Sequence, residues 1–412
     1  MTKTAVGFTI WKRALVLAVA LVSADLAAQS EPAQRFTVLY SFKGTPDGAT
    51  PLGSLIRNNY GTLYGTTNKG GTANLGTIFK LDRFGTETVI HSFSDEADGT
   101  NPSAGLVGDA EGNLYGITVM GGRWAFWGTL FKVDRTGNYT VIINFNGDDA
   151  GGYPEARLLR DAEGYLYGTT DVGGIQACPV NGCGVVFKVD TLGHETVLHY
   201  FTGVPDGWNP NDLLRDAAGN LYGTTKAGGL AGACALGSCG TIFKLDPAGQ
   251  ETVLYSFTGG ADGASPHAGL VRDAAGNLYG NTYRGGVYGY GVIFKLDTAR
   301  NLTVLHSFTG GWDGANPQGG LMWGSDGKLY GTTLNGGTHG YGVVFRLTKT
   351  RTFTVLHSFT GGSDGAYPYA SLFRGPANRC PANAMYGTAS AGGTAGGACG
   401  TTGCGTIFRI MP

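Results

Sequence analysis

Charge is scarce in this chain. Only 14% of its 412 residues are Asp, Glu, Lys or Arg, and the net charge is −1. The basic residues are scattered along the sequence, so there is no electrostatic footprint for nucleic acid or for an anionic membrane. Long apolar runs are missing as well. The longest, residues 14–22, is too short to cross a bilayer. No window beyond it keeps a helical period. His-Glu-x-x-His and phosphate-loop strings do not occur, which removes the usual zinc-hydrolase and nucleotide-binding signals. No cofactor and no metal is assigned.

Glycine is what the chain has in excess, 73 residues, about 18% against a usual ~7%. It is interleaved with Val, Ile, Leu, Tyr and Phe, a mixture that suits tight turns between strands rather than disorder. The N-terminus reads as an export signal over residues 1–28. Lys3, Lys12 and Arg13 precede the apolar run, and small residues allow cleavage after Ala24 or Ala28. A secreted or periplasmic location follows, with no membrane span in the mature chain.

The rest of the chain repeats. Glu-Thr-Val-Leu-Tyr-Ser-Phe at 251–257 has copies at 36–42, 87–93, 139–145, 195–201, 302–308 and 353–359. Between them recur Ala-Gly-Leu-Val-Arg (268–272), Asn-Leu-Tyr-Gly (277–280) and Gly-Val-Ile-Phe-Lys-Leu-Asp (291–297). Each segment has strand length and turn residues at its ends. Four short strands per unit of about 50 residues is the mark of a propeller blade. The expected fold is an all-β, seven-bladed propeller of four-stranded blades over residues 36–412, a single domain. We name the strands A to D, with 251–257 as a D strand. The mature chain opens on strand D and ends on strand C, so the ring closes only if residues 36–42 pair with the last C strand.

Seven tyrosines in strand B, seven phenylalanines in strand C and seven at the end of strand D recur without exception. Sevenfold recurrence points to packing between adjacent blades. His91, His199, His306 and His357 share a D-strand position with Tyr40, Tyr255 and Ile143. A position that accepts Tyr or Ile reads as packing, not as a metal or catalytic site. Asp47, Asp98, Asp206, Asp262, Asp313 and Asp364 in the D–A connectors read as turn caps. In the third unit Ala150 stands at that place.

The pattern Leu-Tyr-Gly-Thr-Thr, Gly-Gly, Gly-Thr-Ile-Phe-Lys-Leu, Ser-Phe and Asp-Gly-x-x-Pro resembles the GloVer (Gloeo_Verruco) tandem repeat of "choice-of-anchor" exported bacterial proteins. The resemblance covers nearly all of 36–412. It implies export and a propeller-like array, and it supplies no catalytic residues.

A–B and C–D turns are short and uniform, whereas B–C and D–A loops vary. The variable loops carry Trp124, Trp127, Trp208, Trp312, Tyr153, Tyr283, Tyr288, Tyr290, Tyr341 and Tyr367. They form either a recognition surface for an extracellular glycan or protein, or packing that seals the channel mouth. Acids outside repeat positions are Glu96, Asp148, Glu155, Asp171 and Asp212. Glu155 and Asp212 begin neighbouring A strands and are the first candidates for a polysaccharide-acting hydrolase or lyase. A purely structural envelope protein is the third reading, and a monomer is expected throughout. Cys178/Cys183, Cys234/Cys239 and Cys399/Cys404 share one spacing in three B–C loops and are expected to staple them as disulfides. Cys380, in an A–B turn on the opposite face, is left free or for an intermolecular link.

Overall fold

The computed structural model describes residues 1–2, 36–95, 97–124, 126–174, 178, 182–229, 239–375, 383–394 and 399–411. The proposed signal segment, Glu96, Cys234 and Cys380 lie outside them. Arg35–Pro412 forms one compact unit. It is a ring of seven antiparallel sheets in the order A-B-C-D. Blade 1, for example, comprises Ile56–Arg57, Leu63–Thr67, Thr77–Leu81 and Glu87–Ser92. Blade 7 takes its A, B and C strands from Phe373–Arg374, Met385–Ala389 and Thr406–Ile410, and its D strand from Phe36–Ser41 at the other end of the chain. Ring closure therefore follows the expected strand exchange. A short strand, Trp208–Pro210, adds to blade 4.

The repeated residues explain the packing. Strand B glycines pair with strand C phenylalanines, as Gly65 with Phe79. A Cβ on Gly65 would stand 2.7 Å from the Phe79 ring and 2.9 Å from Leu55, so the ring lies where any side chain would be. Each D-strand phenylalanine then meets the C-strand phenylalanine of the next blade. Phe42–Phe79, Phe201–Phe243 and Phe359–Phe408 have ring centroids 5.1, 5.2 and 5.3 Å apart. These rings are almost fully buried, and aromatic pairs at such spacing add about 0.5–1.5 kcal/mol beyond their burial. Every C–D pair carries a register shift at the same place, such as Ile78/Phe79 in blade 1, which increases local twist.

Strand A is shorter than its sequence pattern predicts, two residues in each blade. The residues before it are engaged elsewhere. Their carbonyls accept from strand B hydroxyls of the preceding blade, as Thr66 Oγ1 to Ala104 O (2.8 Å) and Thr224 Oγ1 to Ala268 O (2.9 Å). Thr388 Oγ1 makes the same bond to Gly53 O across the closure. Blade 2 has Ile117 at that position, and blade 5 uses Asn281, whose amide reaches Gly319 O. The strand B tyrosines donate to the A–B turn carboxylates, Tyr167 to Asp161 and Tyr279 to Asp273 at 3.0 Å. Five arginines share the second position of strand A. Three of them lie over the tyrosine of the preceding blade: Arg57 over Tyr386, Arg215 over Tyr167 and Arg272 over Tyr222.

Candidate functional site at the channel mouth

The D–A connectors build the site. In five of the seven connectors an Asp accepts a bond from the D-strand position shared by His and Tyr. Tyr40 to Asp47 is 2.8 Å, Tyr255 to Asp262 3.0 Å, and His91–Asp98, His306–Asp313 and His357–Asp364 are each 2.9 Å. The histidine column is thus a donor to the connector as well as packing. The third unit loses both partners together, Ile143 and Ala150. Burial pushes the His306 and His357 pKa values down, against their aspartates.

The residue before the connector proline has a positive φ in all seven units, 50–57° at Thr50, Asn101, Tyr153, Asn209, Ser265, Asn316 and Tyr367. That conformation is costly for a residue with a side chain, and more so before proline. It is held by a bond from its N–H to the B–C loop of the preceding blade. The acceptors include Cys183 O (3.0 Å), Cys239 O (2.8 Å) and Cys404 O (2.8 Å). The cysteines therefore sit where one blade grips the next connector. Cys178–Cys183 and Cys399–Cys404 are disulfides with Cα atoms 5.2 and 5.3 Å apart; the remaining expected pair includes Cys234, outside the described residues.

This grip delivers the residue after each proline to the ring axis: Leu52, Ser103, Glu155, Asn211, His267, Gln318 and Tyr369. All seven line a cavity of about 230 Å³. A second ring contributes from the ends of strand B: Asn68, Val119, Asp171 and Lys226. A further cavity toward the A–B face shares Ser54, Arg157, Asp212, Gly320 and Ser371 with the first, so these five residues form the waist of the channel.

The mouth is chemically lopsided. On blades 3 and 4, Lys226 Nζ bonds Glu155 Oε2 at 2.8 Å and both oxygens of Asp171 at 3.1 and 2.8 Å. Burial and the neighbouring Glu155 push Asp171 up, Lys226 pulls it down, and the balance is about 6. Burial lowers Lys226, but its two carboxylates outweigh that and hold it above the usual range. Asp212 accepts the Arg157 backbone N–H at 2.7 Å, and burial raises its pKa. On blades 5 to 7 the ring is uncharged. The Gln318 amide donates to His267 Nδ1 and to the Tyr369 hydroxyl, both at 3.0 Å. His267 stacks on Tyr283 at 4.6 Å, and burial, aided by Lys226, pushes it down to about 4.

Glu155, Asp171 and Asp212 thus line one cavity. Lys226, Arg157, His267, Gln318 and Tyr369 were not singled out in the sequence. For His267, Gln318 and Tyr369 the signal is a column that fails to repeat directly after a proline that does. The aromatic residues divide. Trp124 and Trp312 are 54% and 61% exposed, and Tyr288 and Tyr290 are exposed on blade 5. Trp127 packs on Tyr153, and Tyr341 on Tyr367, inside the loops. Trp208 pairs by its backbone with Ala227. The string Gly361–Gly365 has Gly-x-Ser-x-Gly spacing, but it is a connector whose Asp364 binds His357, and no helix follows it as a nucleophile elbow requires. Among the described residues no group of three or more His, Cys, Asp or Glu could hold a metal ion. No helix of the described residues is long and apolar enough to cross a membrane.

The family model of the Gloeobacter/Verrucomicrobia repeat matches residues 27–179 and 177–408. No curated protein matches the chain. Among solved structures, a streptogramin B lyase superposes with a TM-score of 0.59 at 13% identity, covering 92% of this chain and 97% of that one. The extracellular domain of a hybrid two-component system from B. thetaiotaomicron gives a TM-score of 0.55 at 13% identity, and this chain spans 41% of its length. At these identities the likeness is one of fold.

Proposed function

We propose that this chain, which belongs to the Gloeobacter/Verrucomicrobia repeat family, is an exported binding propeller that takes an extracellular glycan or protein on its D–A and B–C loop face. The observation that carries this reading is the break in symmetry at the channel mouth. Backbone and core repeat seven times, yet the ring after the connector proline holds seven different residues. Packing alone would have no reason to vary them, and concave sites with a few convergent polar groups are where ligands bind. Trp124, Tyr288, Tyr290 and Trp312 are exposed on loops of the same face as an aromatic rim, and none of them lines the cavity. Disulfide-stapled loops fit an oxidising compartment, secreted or periplasmic. The test is a glycan and secretome screen of the mature protein. Binding that Glu155→Gln weakens supports the reading; no ligand in either library sinks it.

A second reading, a polysaccharide-acting hydrolase or lyase, draws on two carboxyls at one cavity, Asp171 and Asp212, whose pKa values burial raises, because raised carboxyl pKa values in a cleft are a mark of acid–base sites. It is dropped if Glu155→Gln and Asp212→Asn leave all turnover on a polysaccharide panel unchanged.

A further inference from the structure

The mouth has unspent hydrogen-bonding capacity, and that capacity is of one kind. Lys226 has three donors, and Glu155 and Asp171 take all three. No ammonium remains there for an anionic ligand, and the two carboxylates already have their cation. Arg157, at the waist, lies beside Asp212, whose charge offsets its own. The uncharged sector is different. Gln318 spends its amide N–H groups on His267 Nδ1 and on the Tyr369 oxygen. The proton of neutral His267 is thereby placed on Nε2, which makes no bond among the described residues. The Tyr369 hydroxyl proton and Gln318 Oε1 likewise make none. Two donors and an acceptor thus face one small cavity.

Hydroxyl groups both donate and accept, so a ring bearing several of them satisfies such a set, whereas an amine or a carboxylate satisfies only half. The cavity, about 230 Å³, lies below the roughly 300–1,000 Å³ of sites for drug-sized ligands and suits a single ring. His267, Gln318 and Tyr369 occupy the same position in three consecutive blades, 51 residues apart, so the backbone places them on one arc.

We infer that the group seated in the channel mouth is one neutral, polyhydroxylated ring, the terminal residue of an uncharged saccharide, held by His267, Gln318 and Tyr369. This rests on the binding reading above and names its ligand class.

The experiment uses the mature protein and a panel of neutral disaccharides and methyl glycosides, with glucosamine and glucuronic acid as charged counterparts, read by saturation-transfer NMR and calorimetry. A neutral saccharide should bind, with both charged sugars weaker. Gln318→Leu and Tyr369→Phe should each weaken binding at least about tenfold without moving the melting temperature. Tyr369→Phe removes one hydroxyl, so it keeps the test open if the leucine variant fails to fold. Tighter binding of glucuronic acid or glucosamine overturns the inference. So does saccharide binding that both variants leave intact and Trp312→Ala abolishes; that result keeps a binding propeller but moves its site to the rim. A protein ligand with no saccharide overturns the inference alone, and an empty screen overturns both readings.

Discussion

The two faces of the ring use the same backbone differently. On the A–B face the turns of blades 2 to 6 each hold a carboxylate that receives a strand B tyrosine, and in blade 1 Asn58 stands there and donates to Tyr64. On the connector face the backbone repeats as faithfully, down to a positive φ before each proline, but the residue that follows is never the same twice. A repeated residue marks a contact that every blade makes with its neighbour. A repeated backbone with unrepeated side chains marks a place where neighbours impose nothing and a ligand can. Several experiments sharpen or break that contrast.

The largest effect should come from opening the ring. Deleting 36–42 exposes the edge of Thr406–Ile410, which now pairs with Phe36–Ser41, and open edges aggregate. Loss of a cooperative melt, with higher-order species on size exclusion, is expected; a soluble, cooperatively melting deletion would contradict closure. Next is the repeated core. Phe243→Ala should cost about 3–5 kcal/mol by denaturant unfolding, because the ring is fully buried against Phe201. Gln318→Leu at the mouth should stay within about 1 kcal/mol. Similar costs for both would erase the distinction between the two regions.

Within the mouth, Lys226→Met leaves Asp171 beside Glu155 with no cation. A loss of about 1–3 kcal/mol is expected, and adding Asp171→Asn should recover much of it. A smaller effect is set by pH. Burial pushes Glu195 up to about 7, so the folded state favours its protonated form. That contribution is present below about pH 4.5, where both states are protonated, and is lost as pH rises through 7. Glu195→Gln should therefore melt above the parent at pH 8 and level with it near pH 4. A difference that grows on acidification would reverse the sign.

The smallest effect comes from restoring symmetry where the third unit breaks it. Ile143→His and Ala150→Asp together should install the bond made by His306 and Asp313, with a coupling of about 0.5–1.5 kcal/mol in a double-mutant cycle. Additive single effects would show that the pair acts by packing alone.

Much of this was legible in sequence. Seven copies of Glu-Thr-Val-Leu-Tyr-Ser-Phe and its partners give the number of blades, and the odd D strand at 36–42 gives the closure. Glu155, Asp171 and Asp212 stood out because they are acids where the repeat has none. Lys226 and Gln318 did not, because one lysine at the end of a strand or one glutamine in a connector carries no chemical signature by itself. The histidine column read as packing because His, Tyr and Ile alternate there, yet its donor role follows from Ile143 and Ala150 departing in the same unit.

Local and nearest-neighbour rules are written into this sequence: strand patterns, turn glycines, the phenylalanine that needs a glycine beneath it, the cysteine that precedes strand C. Those rules compel seven blades and a closed ring, since each interface is a short-range event repeated. Which side chains meet across the axis is another matter. Glu155 and Lys226 are 71 residues apart, and His267 and Tyr369 are linked only through Gln318 between them. Only the curvature of the finished ring brings such positions onto one small circle, so the charged triad and the uncharged arc opposite it were decided by tertiary structure.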